Sequence, residues 1–223
     1  MSTCDWPGRL VATVFLQGCP WSCTYCHNQD LLDPRAPGVM AWAEVLTFLD
    51  RRAGLLDGVV FSGGEPTRSR GLAAAVDEVR ARGFGSGIHT GGAFPNRLAE
   101  VLPRLDWVGL DIKALPEDYP QVVGRPGSGQ RAWASLDLVL ASGVEAEVRT
   151  TIHPGSPATE RLLDIAGRLR AAGVRSFALQ QARPRGTRAG FAASAPGWDE
   201  QVRSLAERVR ELGFERFELR ATN

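Results

Sequence analysis

Short apolar segments alternate with longer amphipathic segments along most of this 223-residue chain, and that alternation leaves few folds open. Each short, β-branched or apolar run is followed by a helical pattern, about six times over. Repeats of strand and helix build a parallel sheet, because the helix returns the chain to the end at which the next strand begins. We therefore predict an α/β fold in one domain spanning residues 1–223, with a flexible N-terminus at residues 1–9.

The predicted elements can be placed by their periodicity. The candidate strands are Leu10–Leu16, Gly58–Ser62, Gly85–Thr90, Trp107–Ile112, Glu145–Ile152 and Ser176–Gln180, with a further candidate at Phe214–Leu219. The helical patterns are Ala41–Ala53, Ser69–Arg82, Pro95–Val101, Arg131–Ala141, Ala158–Ala172 and Trp198–Leu212. A partly closed barrel and an open doubly wound sheet both fit this order, and periodicity alone does not separate them.

Charge and hydropathy exclude several classes of function. The 26 basic and 25 acidic residues nearly cancel, which argues against nucleic acid or a membrane surface as an obligatory partner. No apolar run approaches the roughly 18–20 residues that cross a bilayer. The N-terminus has no basic segment followed by an apolar core, so no secretory signal is visible. We predict a cytoplasmic protein.

Lysine is almost absent, since the basic residues are 25 arginines and one lysine. That lysine, Lys113, lies two residues after Asp111, and the two side chains point to the same face of a strand. One interpretation is a site that needs a compact ammonium group rather than a planar guanidinium. The alternatives are codon bias with one surviving lysine and a plain ion pair with Asp111.

The chemically distinctive residues follow the predicted strands. Ligands of parallel α/β folds bind at the carboxyl ends of the strands. We therefore predict one site built from several loops. Its candidate residues, strand by strand, are Cys19; Gly63, Gly64 and Glu65; His89 and Thr90; Asp111 and Lys113; Arg149 and His153; and Gln180 and Gln181.

Three of the four cysteines, Cys19, Cys23 and Cys26, lie within eight positions. Three thiolates can hold an iron–sulfur cluster and leave one iron open to a substrate. Structural zinc normally has four ligands, so a zinc site would need His27 or Cys4 as well. A chance grouping is the third interpretation. The count and spacing disfavour a disulfide framework, and Cys4 is best read as a spare thiol.

The cysteine spacing, with Tyr25 just before Cys26, resembles the radical S-adenosylmethionine (SAM) superfamily. The longer segment from Cys23 to Asn28, Cys-Thr-Tyr-Cys-His-Asn, is similar to the signature of its glycyl-radical-enzyme activases. Phe61–Pro66, Asp111–Lys113 and Arg149–Gly155 resemble further motifs of those enzymes, in the same order. Residues 89–95 and 106–111 look most like the activating proteins of anaerobic ribonucleoside-triphosphate reductase. The resemblance runs from about Gly18 to Gly155.

This resemblance implies a partial (β/α)6 TIM-like barrel with a cluster loop at residues 18–28. Cys19, Cys23 and Cys26 would hold a [4Fe–4S] cluster, and Asp111 and Lys113 would be catalytic. SAM would be cleaved reductively, and a glycine Cα hydrogen would be taken from a glycyl radical enzyme, with flavodoxin or ferredoxin as electron donor. The residues implied to bind SAM are Tyr25, Cys26, His27, Ser62, Gly63, Gly64, Glu65, Thr90, Asp111, Lys113 and Arg149.

Some residues depart from the family pattern or leave an alternative open. His89 stands where related activases have an aspartate that helps to bind a monovalent cation, which puts that cation site in doubt. A small-molecule enzyme resembling 7-carboxy-7-deazaguanine synthase is the first alternative, and a non-catalytic metal module is the second. The loop Arg183–Arg188 is either a docking site for a partner or a solvated basic loop.

Overall fold

A computed structural model, which describes residues 1–221, shows seven strands in one parallel sheet. The strands are β1 (Val11–Leu16), β2 (Gly58–Gly63), β3 (Gly85–Thr90), β4 (Trp107–Asp111), β5 (Glu145–Ile152), β6 (Ser176–Gln181) and β7 (Arg216–Arg220). Six of them match the predicted strands to within one residue at each end. The further candidate strand also forms, starting two residues later than predicted.

The order of strands in the sheet is the order in the chain, β1 to β7. In a doubly wound sheet the order of the strands reverses at a switch point. The strand order of this sheet does not reverse, so the partial barrel is confirmed. Among residues 1–221 no pairing joins β7 back to β1, which leaves the barrel open along one side.

Eight α-helices accompany the strands within residues 1–221. They are α1 (Trp42–Asp50), α2 (Leu72–Ala81), α3 (Pro95–Val101), α4 (Tyr119–Val123), α5 (Ser128–Ser142), α6 (Pro157–Glu160), α7 (Leu162–Ala171) and α8 (Trp198–Arg210). The short α4 was not predicted, and the pattern predicted as one helix over 158–172 is divided into α6 and α7 at Arg161. No helix within residues 1–221 is long and apolar enough to cross a membrane.

The two faces of the sheet pack differently. Alternate residues such as Phe61, Val108 and Leu110 point outward and are fully buried beneath the helices in the main core. The other face carries a small apolar cluster at the amino ends of the strands, which includes Val60 and Trp107. Above this cluster the inner face becomes charged, and this polar region is where the strand ends of the candidate site meet.

Two residues of the N-terminal segment, residues 1–9, contact the sheet, while the flexibility expected of this segment stays a prediction. Ser2 forms an antiparallel bridge with Val11, and Trp6 is buried in the inner apolar cluster. The physical reason for this contact is that the large aromatic side chain of Trp6 fills a space on the inner face of the sheet. A segment without helical or strand periodicity does not reveal such a contact.

Candidate active site

The three cysteines lie in the cluster loop, residues 18–28, which follows β1. The backbone N–H groups of Gly18 and Cys19 donate to the carbonyls of Leu31 and Leu32, at 2.8 and 3.1 Å. These bonds tie the start of the loop to the turn that follows it.

The middle of the cluster loop is attached to helix α4. The N–H groups of Ser22 and Thr24 donate to the carbonyls of Val123 and Val122, at 3.0 and 3.2 Å. Trp21 is buried and meets the ring of Tyr119 edge-on, with ring centres 5.8 Å apart. The helix that the sequence did not predict is thus the element that positions this loop.

The thiols suit a metal cluster. All three are unpaired, Cys23 is buried, and Cys19 and Cys26 are half-buried. Burial raises the pKa of Cys19 to about 12 and also raises the pKa of Cys23. Thiolates in such a setting require the positive charge of a metal to be stable.

The arrangement fits a cluster better than a single zinc ion. Each cysteine of a [4Fe–4S] cluster binds a different iron, so the three thiols of the loop suffice for a cluster. The extra ligands that zinc would need are engaged elsewhere or remote. His27 is exposed, with its Nδ1 3.1 Å from the carbonyl of Arg185, and Cys4 lies in the N-terminal segment.

The glycine pair after β2 is required by close backbone contact. A Cβ on Gly63 would lie 2.4 Å from the nitrogen of Leu16, and one on Gly64 would lie 2.5 Å from the carbonyl oxygen of Gly18. Gly63 also has a φ of +114°, which favours glycine. Asn28 donates from its side chain to the Gly63 carbonyl at 3.2 Å, so both ends of the cluster loop are joined to this turn. Ser62 precedes the pair, half-buried at the end of β2.

Glu65 is buried, and its carboxylate accepts hydrogen bonds from the protein itself. One oxygen accepts from Thr90 at 2.7 Å and from the hydroxyl and N–H of Thr67, at 2.5 and 3.1 Å. The other accepts from the N–H of Gly91 at 3.0 Å. Both oxygens therefore fasten the turn after β2 to the end of β3. A role of Glu65 and Thr90 in binding SAM stays a prediction.

Asp111, Lys113 and Arg149 form one cluster of charges at the ends of β4 and β5. Arg149 donates to one oxygen of Asp111 at 2.9 Å and to the Gly109 carbonyl at 3.2 Å. Lys113 donates to the other oxygen of Asp111 at 3.2 Å. The parallel register places Asp111 opposite Arg149, and the two-residue period brings Lys113 to the same face.

The ion pairs of Asp111 with Arg149 and Lys113 determine the direction in which the pKa values of Asp111 and Lys113 shift. Burial by itself would raise the pKa of Asp111, but Arg149 and Lys113 outweigh it and hold that pKa well below its usual range. Burial would lower the pKa of Lys113, and the Asp111 carboxylate instead raises it well above its usual value. Asp111 and Lys113 are therefore both charged at neutral pH. The guanidinium of Arg149, only 8% exposed, points at its neighbours, so its predicted pairing with the carboxylate of SAM remains a prediction.

Tyr25 connects the cluster loop to this charge cluster. The Lys113 ammonium lies 5.5 Å from the centre of the Tyr25 ring, and the ring of His153 lies on the tyrosine at 5.7 Å. The hydroxyl of Tyr25 is buried and is without a hydrogen-bond partner within residues 1–221. A buried polar atom of this kind is suited to a ligand that arrives later. The site thus fits both the cluster and SAM.

Two residues that the sequence analysis did not select complete the site. The Tyr119 hydroxyl accepts from the backbone N–H of Lys113 at 2.9 Å, so it links Lys113 to Trp21 in the cluster loop. Gly109 has no room for a side chain, because its Cβ would lie 2.9 Å from the guanidinium carbon of Arg149. No local signal marks either residue, since both act through contacts with distant segments.

His89 lies on the inner face beside the charge cluster and is held neutral. Burial, with Arg149 nearby, lowers the pKa of His89 to about 3, while Asp5 and Asp111 oppose that shift. In the unfolded chain His89 is protonated below about pH 6.5, whereas in the folded protein it stays neutral at that pH. The free energy of unfolding therefore falls as the pH drops below about 6.5.

Because of His89, we expect the free energy of unfolding to be about 1–2 kcal/mol lower at about pH 5 than at about pH 7. Urea unfolding of the apo-protein at both pH values measures this loss. The His89→Gln variant should lose that part of the pH dependence and keep the remainder, which includes the contribution of His153. Equal pH dependence in the two proteins would contradict the assignment of a neutral His89.

The fold and the thiol loop define an iron–sulfur enzyme with a partial TIM-like barrel. A family model, the radical SAM superfamily, matches residues 13–169 of the chain, and the chain belongs to that superfamily. It is therefore a radical SAM enzyme that uses a [4Fe–4S] cluster and SAM.

Relatives of known name include glycyl-radical activases. A Methanocaldococcus jannaschii protein, named provisionally as a glycyl-radical enzyme activating enzyme, is 28% identical over 224 residues, covering 96% of this chain and 87% of its own length. The pyruvate formate-lyase-activating enzyme of Clostridium pasteurianum is 31% identical over 163 residues, covering 69% of this chain and 66% of its own length.

A solved structure shows the same fold. SuiB of Streptococcus suis, bound to S-adenosylmethionine, superposes with a TM-score of 0.73 at 12% identity. The match covers 96% of this chain and 50% of that one, so this chain spans about half the length of that neighbour.

Proposed function

We propose that this protein is a glycyl-radical-enzyme activase whose partner is anaerobic ribonucleoside-triphosphate reductase. The observation that carries the proposal is the segment Cys23–Asn28, whose sequence is similar to the activase signature and whose last residue has a defined task. Asn28 bonds to the Gly63 carbonyl, so this signature residue joins the cluster loop to the glycine turn. The relatives named as activating enzymes support the same class.

In this proposal, different residues of the chain bind the cluster and orient SAM. Cys19, Cys23 and Cys26 hold the cluster. When bound, the cluster and SAM would supply the radical chemistry that takes a Cα hydrogen from a glycine of the partner. Asp111 and Lys113 present fixed, opposite charges beside the cluster loop and orient the amino-acid part of SAM. Flavodoxin or ferredoxin is the proposed reductant.

Arginines around the cluster loop support a protein partner. Arg125 donates to the Pro20 carbonyl at 3.1 Å, and Arg188 donates to the hydroxyl of Ser22. Arg131 and Trp21 share the lining of a shallow pocket at this rim. In the part of the chain that is described, none of the three arginines pairs with a carboxylate. Uncompensated guanidinium groups beside the site fit an acidic partner surface.

The proposal is tested by tracing the hydrogen that leaves the Cα of the partner's glycine. The protein, reconstituted anaerobically with iron and sulfide and then reduced, is mixed with SAM and with a reductase labelled with deuterium at the glycine Cα. We expect a glycyl radical signal in the electron paramagnetic resonance (EPR) spectrum, which is a doublet for the unlabelled reductase and collapses to a singlet for the labelled one, because the hydrogen that remains on Cα causes the splitting. We also expect deuterium in the methyl group of 5′-deoxyadenosine, because the abstracted atom moves from that carbon to the 5′ carbon.

The control is a reductase in which alanine replaces the radical-bearing glycine. It should give neither the glycyl radical signal nor labelled product. If 5′-deoxyadenosine forms without deuterium and without a glycyl signal, the hydrogen comes from another donor. A small-molecule substrate would then be the better interpretation, and the activase proposal would be withdrawn.

A further inference from the structure

The N-terminal segment closes the amino end of the barrel. Ser2 and Val11 exchange two backbone hydrogen bonds, at 2.8 and 2.9 Å, which turn residues 1–9 back across the sheet. Trp6 then enters the inner face and is only 7% exposed.

The strands make room for the Trp6 ring with glycines. A Cβ on Gly58, Gly85 or Gly87 would lie 3.2–3.3 Å from the nearest atom of that ring. This spacing is tighter than ordinary van der Waals contact. Three glycines at the starts of two neighbouring strands therefore form a recess that a tryptophan fills.

A continuous column of side chains leads from Trp6 to the charge cluster. The ring of Trp6 stacks on Trp107 at 5.7 Å and 19°. Trp107 meets the edge of His89 at 5.4 Å. It also lies against Gly109, on which an added Cβ would lie 2.7 Å from the Trp107 ring and 2.9 Å from the Arg149 guanidinium. The aromatic pair and the guanidinium are thus packed on the same short stretch of β4.

A second link runs through Asp5. Its side chain accepts from the Thr13 hydroxyl at 2.7 Å, and its backbone carbonyl lies 2.6 Å from Nε2 of His89. A neutral His89 donates its one N–H there. The groups that face His89 are Asp5, Asp111, Arg149 and Trp107.

We propose that the N-terminal segment supports the cofactor site through two side chains, Asp5 and Trp6, which act as positioning residues. Through their contacts with Trp107 and His89, these two residues hold the Arg149–Asp111 pair in position next to Lys113. They also keep water from entering the barrel at its amino end. The proposal rests on the predicted role of Asp111 and Lys113 toward SAM and does not depend on which protein or molecule donates the hydrogen.

The physical basis is that the Arg149 guanidinium and the Trp107 ring both pack beside Gly109. Asp111 and the Gly109 carbonyl orient the guanidinium, and the aromatic column adjoins it toward the amino end of the barrel. If the column is removed, water can reach the guanidinium, and the Asp111 carboxylate loses a fixed partner. Outer partners of this kind typically change binding or activity by about 10–100-fold.

The test compares Trp6→Ala with Trp42→Ala. Trp42 is a matched control because it packs outside the sheet, on Phe61 and Glu78. Two readouts are used: the dissociation constant of SAM for the reconstituted protein, and the titration of His89 by NMR in the apo-protein, which has three histidines. Lys113→Ala reports independently whether the charge cluster binds SAM at all.

We expect Trp6→Ala to weaken SAM binding about tenfold or more and to move the pKa of His89 up toward its ordinary value. Trp42→Ala should do neither. If Lys113→Ala weakens SAM binding while Trp6→Ala leaves both the affinity and the titration of His89 unchanged, the proposal is overturned and the site assignment stands.

A milder pair of variants protects the test against a protein that does not fold. Trp6→Phe keeps an aromatic ring in the glycine recess, and Asp5→Ala removes the side-chain bonds with Ser2 and Thr13 and the charge near His89. Weaker SAM binding in Asp5→Ala, with most of the affinity kept in Trp6→Phe, supports the proposal. Wild-type affinity and an unchanged His89 titration in both variants overturn it.

Discussion

Replacing Cys23 with alanine is expected to abolish cluster assembly and, with it, the cleavage of SAM. Cys23 is the most buried of the three thiols in the loop, and its loss leaves two cysteines for a cluster that needs three. Iron and sulfide content after anaerobic reconstitution, and 5′-deoxyadenosine after reduction with SAM, should both fall to the background of the assay.

The matched control is Cys4→Ala. Cys4 is an exposed thiol in the N-terminal segment, so this variant should assemble a full cluster and turn over SAM as the wild type does. A Cys23→Ala protein that keeps iron, sulfide and product would show that the loop does not hold the cluster. Stoichiometric zinc in place of iron in the wild type would contradict the cluster as well.

Replacing Gly64 with alanine is the second change with a large expected effect. The added Cβ would lie 2.5 Å from the carbonyl oxygen of Gly18 and 2.9 Å from that of Leu31. Both obstacles are backbone atoms, one at the start of the cluster loop and one in the turn that follows the loop, so neither can move without displacing the loop. We expect a loss of about 1–3 kcal/mol of unfolding free energy and a protein that assembles little or no cluster.

Gly167→Ala provides the control for this substitution. Gly167 lies inside helix α7, and its Cβ would meet nothing within 4 Å. An alanine there should stabilise the fold by about 0.5–1 kcal/mol and leave cluster content at the wild-type level. Urea unfolding and iron analysis measure both variants, and normal cluster content in Gly64→Ala would show that the loop tolerates the displacement.

The strands and the location of the site were predictable from local pattern. Segments such as Glu145–Ile152 have the length and composition of a buried strand, and the structure places a strand there with the same bounds. The rule that ligands bind at the carboxyl ends of parallel strands then brings Cys23, Lys113 and Arg149 to one region, and the Lys113–Tyr25 and Arg149–Asp111 contacts place them there.

The partners of individual side chains were less predictable. Glu65 could be read as a carboxylate for a cationic ligand, but in the structure Thr67, Thr90 and Gly91 donate to it. Arg149 could be read as a fork for a ligand carboxylate, and its nearest acceptor is Asp111. A motif specifies residue types along the chain, whereas the partner depends on which strand lies beside it.

By itself the sequence determined the parallel α/β class and predicted the cluster loop and the strand ends of the candidate site, because each depends on spacing along the chain. The tertiary structure alone decided that Trp6 fills a glycine recess, that Tyr119 joins Lys113 to the cluster loop, and that His89 stays neutral. These are contacts between segments that are far apart in the chain. They depend on strand order, register and burial, which local periodicity does not encode.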